Sequence, residues 1–239
     1  MSASVIIAAP KYIAEVRNSQ EVTLYGAADL AYWTKKLQPQ KLVPVEEHGR
    51  ARMMISAVAS NWLGVRFREF LIAVLAYPAH QSPQPGSLPG CYLLSAYNTS
   101  RAFAFIEQRY FQTPYTHGTV EVQCARQPSF QLKQRSGEML SAVRHSQSPA
   151  TEQVEEVWEG AIYLPPRPAR GPGPGKMFYA RLAGLTEISP FQPAEDSIKI
   201  TPQASDPVLS WLLESGFTGQ EWHVRHSATH ARSKTYPRG

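Results

Sequence analysis

Short runs in which apolar and polar residues alternate recur along most of the chain, separated by polar or Pro- and Gly-rich breaks. Successive side chains of a strand point to opposite faces, so this period-two pattern with frequent punctuation predicts antiparallel sheets rather than strand-helix-strand units. The predicted strands are Glu21–Tyr25, Ala51–Ala59, Val65–Ala76, Cys91–Ala96, Thr119–Ala125, Phe130–Gln134, Met139–Arg144, Val154–Leu164, Met177–Leu185 and Ser197–Ile200. Three segments read as helices instead. Ala27–Leu37 has apolar positions at three-to-four spacing and Lys35 and Lys36 in its last turn, where the helix dipole favours cations. Thr99–Phe111 begins near the capping candidates Asn98, Thr99 and Ser100 and must stop before Pro114. In Asp206–Gly216, Asp206 is the N-cap, Pro207 the first helical residue and Gly216 the terminator.

Pro78–Gly90 and Pro165–Gly175 read as exposed irregular loops; the second is a long connection between strands or a flexible lid. Strand-like sequence resumes directly after each, so neither marks a domain boundary. The expectation is one domain over residues 1–239, of α+β class and β-dominated.

Composition narrows the function. A chain of 239 residues with 43% hydrophobic content buries a large core. No apolar run approaches the roughly 20 residues that cross a bilayer. Cys91 and Cys124 lie in apolar surroundings and the chain opens without a signal-peptide pattern, so a cytoplasmic protein without a disulfide framework is expected, with no membrane partner. The net charge of +5 raises the question of a polyanionic partner, but the 24 Lys and Arg are scattered apart from a cluster over His223–Arg238. No helix-turn-helix, zinc-ligand spacing or aromatic platform accompanies them, and nucleic acid is not an expected partner.

His226 and His230, four apart, would share a helical face, yet the tail offers no third ligand and lacks the His-Glu-x-x-His motif, so no metal is expected. Nucleophile-elbow, phosphate-loop and dinucleotide glycine patterns are missing as well. No cofactor is expected.

The stretch Glu107-Gln-Arg-Tyr-Phe-Gln-Thr-Pro-Tyr-Thr-His-Gly118 carries the most information. With Trp33-Thr-Lys-Lys-Leu37, Leu42-Val-Pro-Val45 and the paired strands Met53–Trp62 and Val65–Ala76, it resembles the acetoacetate decarboxylase-like family over most of the chain. The resemblance implies antiparallel sheets closing into a cone-like barrel with a few peripheral helices, and a tendency to form homo-oligomers. In that family a proline is followed by a lysine that forms a Schiff base with a keto acid; here Tyr115 follows Pro114, and neither it nor Thr116 has an amine. A family active-site glutamate matches Glu69, while a second falls at Met53, Met54 or Ile55 and is lost. Arg17 lies near the family's interior arginine and would suit a substrate carboxylate, as would Arg109. Both read equally well as surface arginines.

A phenol at position 115 supports different chemistry. Tyrosine ordinarily ionises near pH ~10, so it would donate a hydrogen bond to a carbonyl whose oxygen gains negative charge. His117, two residues on, shares its face in an extended chain and would transfer a proton. Glu69, on the same face as Phe67, would be partly buried with a raised pKa. The plainer readings are a core tyrosine, a strand-end histidine and a glutamate paired with arginine across strands.

The function expected is a cofactor-independent enzyme acting on a carbonyl-bearing small molecule, a keto acid or unsaturated carbonyl, by enolisation and acid/base chemistry without a Schiff base. Decarboxylation, dehydration, isomerisation and cyclisation all fit. The alternative is a non-catalytic small-molecule binding protein that retains the family cavity. A basic interaction protein would instead need a contiguous Lys/Arg face.

Overall fold

The computed structural model describes residues 10–80, 88–135, 137–166, 175–202 and 206–238. The two loops expected at Pro78–Gly90 and Pro165–Gly175 lie largely outside these residues. In chain order the strands are β1 (Tyr12–Asp29), β2 (Leu42–Pro44), β3 (Glu46–Glu47), β4 (Arg50–Trp62), β5 (Val65–Pro78), β6 (Gly90–Asn98), β7 (Tyr115–His117) and β8 (Thr119–Gln123). They continue as β9 (Ser129–Gln134), β10 (Gly137–Val143), β11 (Glu152–Tyr163), β12 (Lys176–Pro190), β13 (Ser197–Ile200), β14 (Thr218–Ser233) and β15 (Tyr236–Pro237). The helices are α1 (Leu30–Leu37), α2 (Arg101–Ile106) and α3 (Pro207–Glu214). The fold is β-dominated with three short helices, as the alternation predicts.

The larger sheet runs β2-β5-β4-β1-β14-β12-β11-β6-β7, and an additional β5–β6 pairing joins its two halves into a ring. Most neighbours are antiparallel. The closure between β6 and β11 is parallel and short, with Cys91 opposite Ile162 and Tyr92 opposite Tyr163. A second sheet, β13-β10-β9-β8, covers one outer side.

Alternation explains how one ring serves two environments. On β4, Met53, Ile55 and Ala57 face outward and are fully buried, as are Phe70 and Ile72 on β5. They meet Phe130, Leu132, Met139 and Leu140 of the second sheet, together with Trp222 of β14, in the main hydrophobic core. The intervening residues turn into the ring, where Leu93, Ala96, Tyr115, Leu164 and Phe178 form a smaller cluster. β6 lies between the two clusters, and every one of its residues is buried.

Tyr25, Met54, Glu69, Leu71, Ile162 and Ala180 keep partial exposure on the inward face. Gly90 is required at the closure, because a Cβ there would stand 2.5 Å from the Ala161 carbonyl oxygen and 2.6 Å from the Tyr163 ring. Backbone cannot give way as a flexible side chain can, so Gly90→Ala is expected to destabilise the protein by about 1–3 kcal/mol in a thermal melt. An unchanged melting temperature would show that the closure tolerates displacement.

Capping of α2 and α3 follows the sequence, whereas the helix expected over Ala27–Leu37 starts only at Leu30, because Ala27–Asp29 belong to β1. The Asp29 carboxylate accepts from Tyr32 N, Ser100 from Phe103 N and Asp206 from Val208 N. Asp206 also takes hydroxyl bonds from Ser95 and Tyr97, tying α3 to β6. The helix expected over Thr99–Phe111 is α-helical only to Ile106. Glu107–Phe111 continue as a π-helical turn ending at Gln112, whose φ is +60°.

The region read as a basic tail is β14, which pairs with both β1 and β12. His226 and His230 therefore lie on a strand, not on a helical face. Among the described residues no helix is long and apolar enough to cross a membrane, and no group of three or more His, Cys, Asp or Glu is placed to hold a metal. Cys91 and Cys124 are free thiols.

Candidate active site

Three adjacent strands build the center of the site. Register places Glu69 of β5 opposite Asn98 of β6, and Ala96 of β6 beside Tyr115 of β7. The Asn98 side-chain amide donates to Glu69 Oε1 at 3.0 Å. The Tyr115 phenol lies close enough to the same carboxyl for each to shift the other's ionisation. The Gln108 amide donates to the Tyr115 carbonyl and anchors the short strand from the π-helical turn. Met54, on the inward face of β4, contacts the Cys91 thiol, with the sulfurs 3.8 Å apart.

Burial pushes the Glu69 carboxyl up to about 7, and the negative charge of Glu107 adds to the effect; His230, Tyr115 and Asn98 pull the other way. Burial also drives the Tyr115 phenol well above its ordinary value, reinforced by Glu69 and Glu107. At neutral pH the phenol is thus a hydrogen-bond donor, and Glu69 is poised between acid and base.

The raised Glu69 value has a thermodynamic consequence. The folded state holds this proton more tightly than the unfolded chain does, so stability falls as pH rises from about 4.5 to about 7. By linkage the loss amounts to at most about 3 kcal/mol. In Glu69→Gln this part of the decline is expected to vanish. Urea titrations of both proteins across that pH range check it, and parallel curves would refute the assignment.

A buried ion network lines the adjoining wall. Glu21 of β1 is 2% exposed and accepts from Arg225 Nη1 at 2.8 Å and from the Thr23 hydroxyl at 2.8 Å. His230 Nε2 stands 3.0 Å from its other oxygen, without the alignment of a hydrogen bond. Arg225 also bonds Glu156 of β11; His223 lies between Glu156 and Glu221, and Arg52 joins Glu221 to Glu47. Burial alone would raise Glu21, yet Arg225 and His230 bring it down to about 2. The nearby His223 and the Arg225 charge hold Glu156 at about 2 as well.

Arg232 forms the other boundary. Its guanidinium lies 4.3 Å from the ring centroids of both Phe111 and Phe178, and its Nη1 bonds Glu107. Glu107 also accepts from the Thr113 hydroxyl at 2.9 Å, so the π-helical turn is what faces this carboxylate inward.

Of the residues nominated from sequence, the structure brings Glu69 and Tyr115 together and leaves the others apart. His117 is exposed and lines a surface cleft of about 510 Å³ with Arg101, Lys133 and Arg135, to which neither Glu69 nor Tyr115 contributes. The reason is that β7 has only three residues, so position 117 falls at its end, where Gly118 packs on Tyr97 and Leu132. Arg17 has a 75% exposed side chain paired with Glu15. Alternation from Glu21 would turn Arg17 inward, but Asn18 at φ +55° and a register shift between Val16 and Ser19 break the alternation. Arg109 is exposed on the π-helical turn, whose inward position belongs to Glu107.

Sequence reasoning missed Glu21, Glu107, Glu156, His223, Arg225, His230 and Arg232. Four of them alternate with Trp222, Val224 and Ala231 along β14, a period-two signal masked by its basic composition.

The strands close into a ring with the Glu69 carboxyl and the Tyr115 phenol on its inward face. Comparison by sequence matches no family model and no curated protein. Comparison by structure finds acetoacetate decarboxylase from Legionella pneumophila, with a TM-score of 0.64 at 10% identity, covering 100% of this chain and 98% of that one. An acetoacetate decarboxylase-like enzyme from Sphingomonas wittichii RW1 aligns with a TM-score of 0.63 at 10% identity, over 94% and 92% of the two chains. The enduracididine biosynthesis enzyme MppR, in complex with pyruvate, aligns with 0.63 at 11% identity over 99% and 94%. The chain has the acetoacetate decarboxylase-like fold.

Proposed function

We propose that the protein is a cofactor-independent enzyme that enolises a carbonyl-bearing small molecule through Tyr115 and Glu69. The observation carrying this reading is the placement of the Glu69 carboxyl and the Tyr115 phenol on neighbouring strands of the inward face, where burial pushes the phenol up and the carboxyl up to about 7. The substrate carbonyl oxygen accepts from Tyr115, which stabilises the charge that develops there. Glu69 removes a proton from the adjacent carbon and returns it later in the cycle. The enol then expels a β-leaving group, takes its proton back at another carbon or closes a ring, giving dehydration, isomerisation or cyclisation; loss of carbon dioxide from a β-keto acid instead leads directly to the enolate held by Tyr115, which protonated Glu69 quenches at carbon.

Position 115 holds a phenol, so the chemistry proceeds without an imine at this site. The shared fold supports the reading, since proteins of this shape include both decarboxylases and a pyruvate-binding biosynthetic enzyme. The test is incubation with a panel of keto and unsaturated carbonyl acids, followed by mass analysis of small molecules and protein, with borohydride in a parallel sample. The expected result is product without a reduced adduct. A substrate-protein adduct trapped by borohydride would overturn the mechanism, and no turnover across the panel would favour a binding protein.

A further inference from the structure

A second charged region lies outside the ring, at the joint where the chain passes from the larger sheet to the second sheet. His117 ends β7 of the ring, Thr119 begins β8 of the second sheet, and Gly118 N between them donates to the Asn98 carbonyl at 3.2 Å. The surface cleft of about 510 Å³ opens here. Arg101 at the start of α2, His117, Lys133 of β9 and Arg135 of the β9–β10 turn line it, so three separate stretches of chain bring basic side chains to one concavity. Thr119 stands opposite Lys133 in the ladder and adds a hydroxyl to the same face.

The charge of the cleft is one-sided. Among the described residues no carboxylate lines it. Lys133 has Glu121 at 3.1 Å, but Arg101 and Arg135 are exposed and form no ion pair among the described residues. Like charges gathered round one concavity repel one another, and its protein walls concentrate their field, so an anion that enters relieves the repulsion. The donors suit an oxyanion: two guanidinium forks, an ammonium point charge, a hydroxyl and an imidazole. A phosphate group carries more charge than one carboxylate and three acceptor oxygens, which matches donors arriving from several sides. The volume falls in the roughly 300–1,000 Å³ range of small-molecule sites.

We infer that this cleft is a binding site for a phosphate-bearing small molecule, a phosphate ester or diphosphate, held by Arg101, Arg135 and Lys133 outside the ring. The site does not depend on the reaction proposed for Glu69 and Tyr115.

Isothermal titration calorimetry of the full chain, without divalent cations, is to compare pyrophosphate, adenosine 5′-diphosphate, citrate and a single-stranded RNA oligomer. The proteins are wild type, the double variant Arg101→Gln with Arg135→Gln, and Arg66→Gln, a change at an exposed cation of β5 that does not line the cleft. Wild type is expected to bind pyrophosphate or the nucleotide at one site per chain, at least ten-fold more tightly than citrate. Equal affinity for the two assigns recognition to the diphosphate itself; tighter binding of the nucleotide shows that the cleft also reaches the nucleoside. The double variant is expected to lose ten-fold or more of the affinity with an unchanged melting temperature, and Arg66→Gln to keep it. Arg135→Gln alone decides the matter should the double variant not fold. Citrate bound as tightly as pyrophosphate, an equal loss in Arg66→Gln, or affinity retained without the two arginines would overturn the inference. So would binding of the RNA oligomer but of neither small phosphate, or no binding by any probe.

Discussion

Glu69→Gln is expected to lower kcat/KM by about 10²–10⁴-fold, the range that a positioned acid/base group contributes. The amide is isosteric with the carboxyl and can still accept from Asn98, so the ring should fold as before. Tyr115→Phe is expected to lose about 10²–10³-fold, as when one donor to a developing oxyanion is removed. In the wild type, base catalysis by Glu69 should make kcat/KM rise with pH through about 7. Asn98→Ala removes a bond that stabilises the ionised carboxylate, so the limb should move to higher pH. Glu107→Gln removes a repelling charge and should move it lower. A structural role for these neighbours would change Tm without moving the limb. Activity of Glu69→Gln within a few-fold of wild type would remove Glu69 from the mechanism.

The largest stability effect is expected at Arg225. Its side chain is 1% exposed and serves two carboxylates at once, Glu21 and Glu156. A buried ion pair adds little over a well-packed apolar pair, but taking away one partner leaves uncompensated charge and costs about 3–5 kcal/mol. Arg225→Met leaves two such carboxylates on the wall of the ring. For a chain of this size the expected fall in Tm is roughly 6–20 °C. Adding Glu21→Gln should recover part of the loss, because one stranded charge is then neutral. If the single variant melts within about 2 °C of wild type, or the double variant melts lower than the single, the network does not carry the load assigned to it.

The outward half of the fold was legible because it follows alternation. Met53, Ile55 and Ala57 on β4, and Phe70 and Ile72 on β5, stand at period two and mark the face that packs on the second sheet. The inward half was harder to read, since polar side chains facing into the ring reverse the usual sense of that pattern. On β14 the inward positions hold His223, Arg225, His230 and Arg232, which in sequence look like a solvated basic tail. Their acidic partners lie far away in the chain, Glu21 on β1 and Glu156 on β11, and only ring closure brings them together. Glu69 and Tyr115 were nominated through the family resemblance, the one as the glutamate of an alternating strand and the other as the residue after a helix-ending proline. Arg17 and His117 were misplaced for local reasons, a positive φ at Asn18 and the end of a three-residue strand. Neither is encoded by residue type in a form that periodicity detects.

The most direct measurement is exchange of carbon-bound protons. Keto acids incubated with the protein in deuterium oxide and followed by NMR report proton removal beside the carbonyl, whatever step follows it. Exchange by the wild type, near-background rates for Glu69→Gln and Tyr115→Phe, and no borohydride-trapped adduct are the predicted results. Exchange that persists in both variants, or that proceeds through a trapped imine, would contradict a carboxyl-phenol pair as the catalytic center.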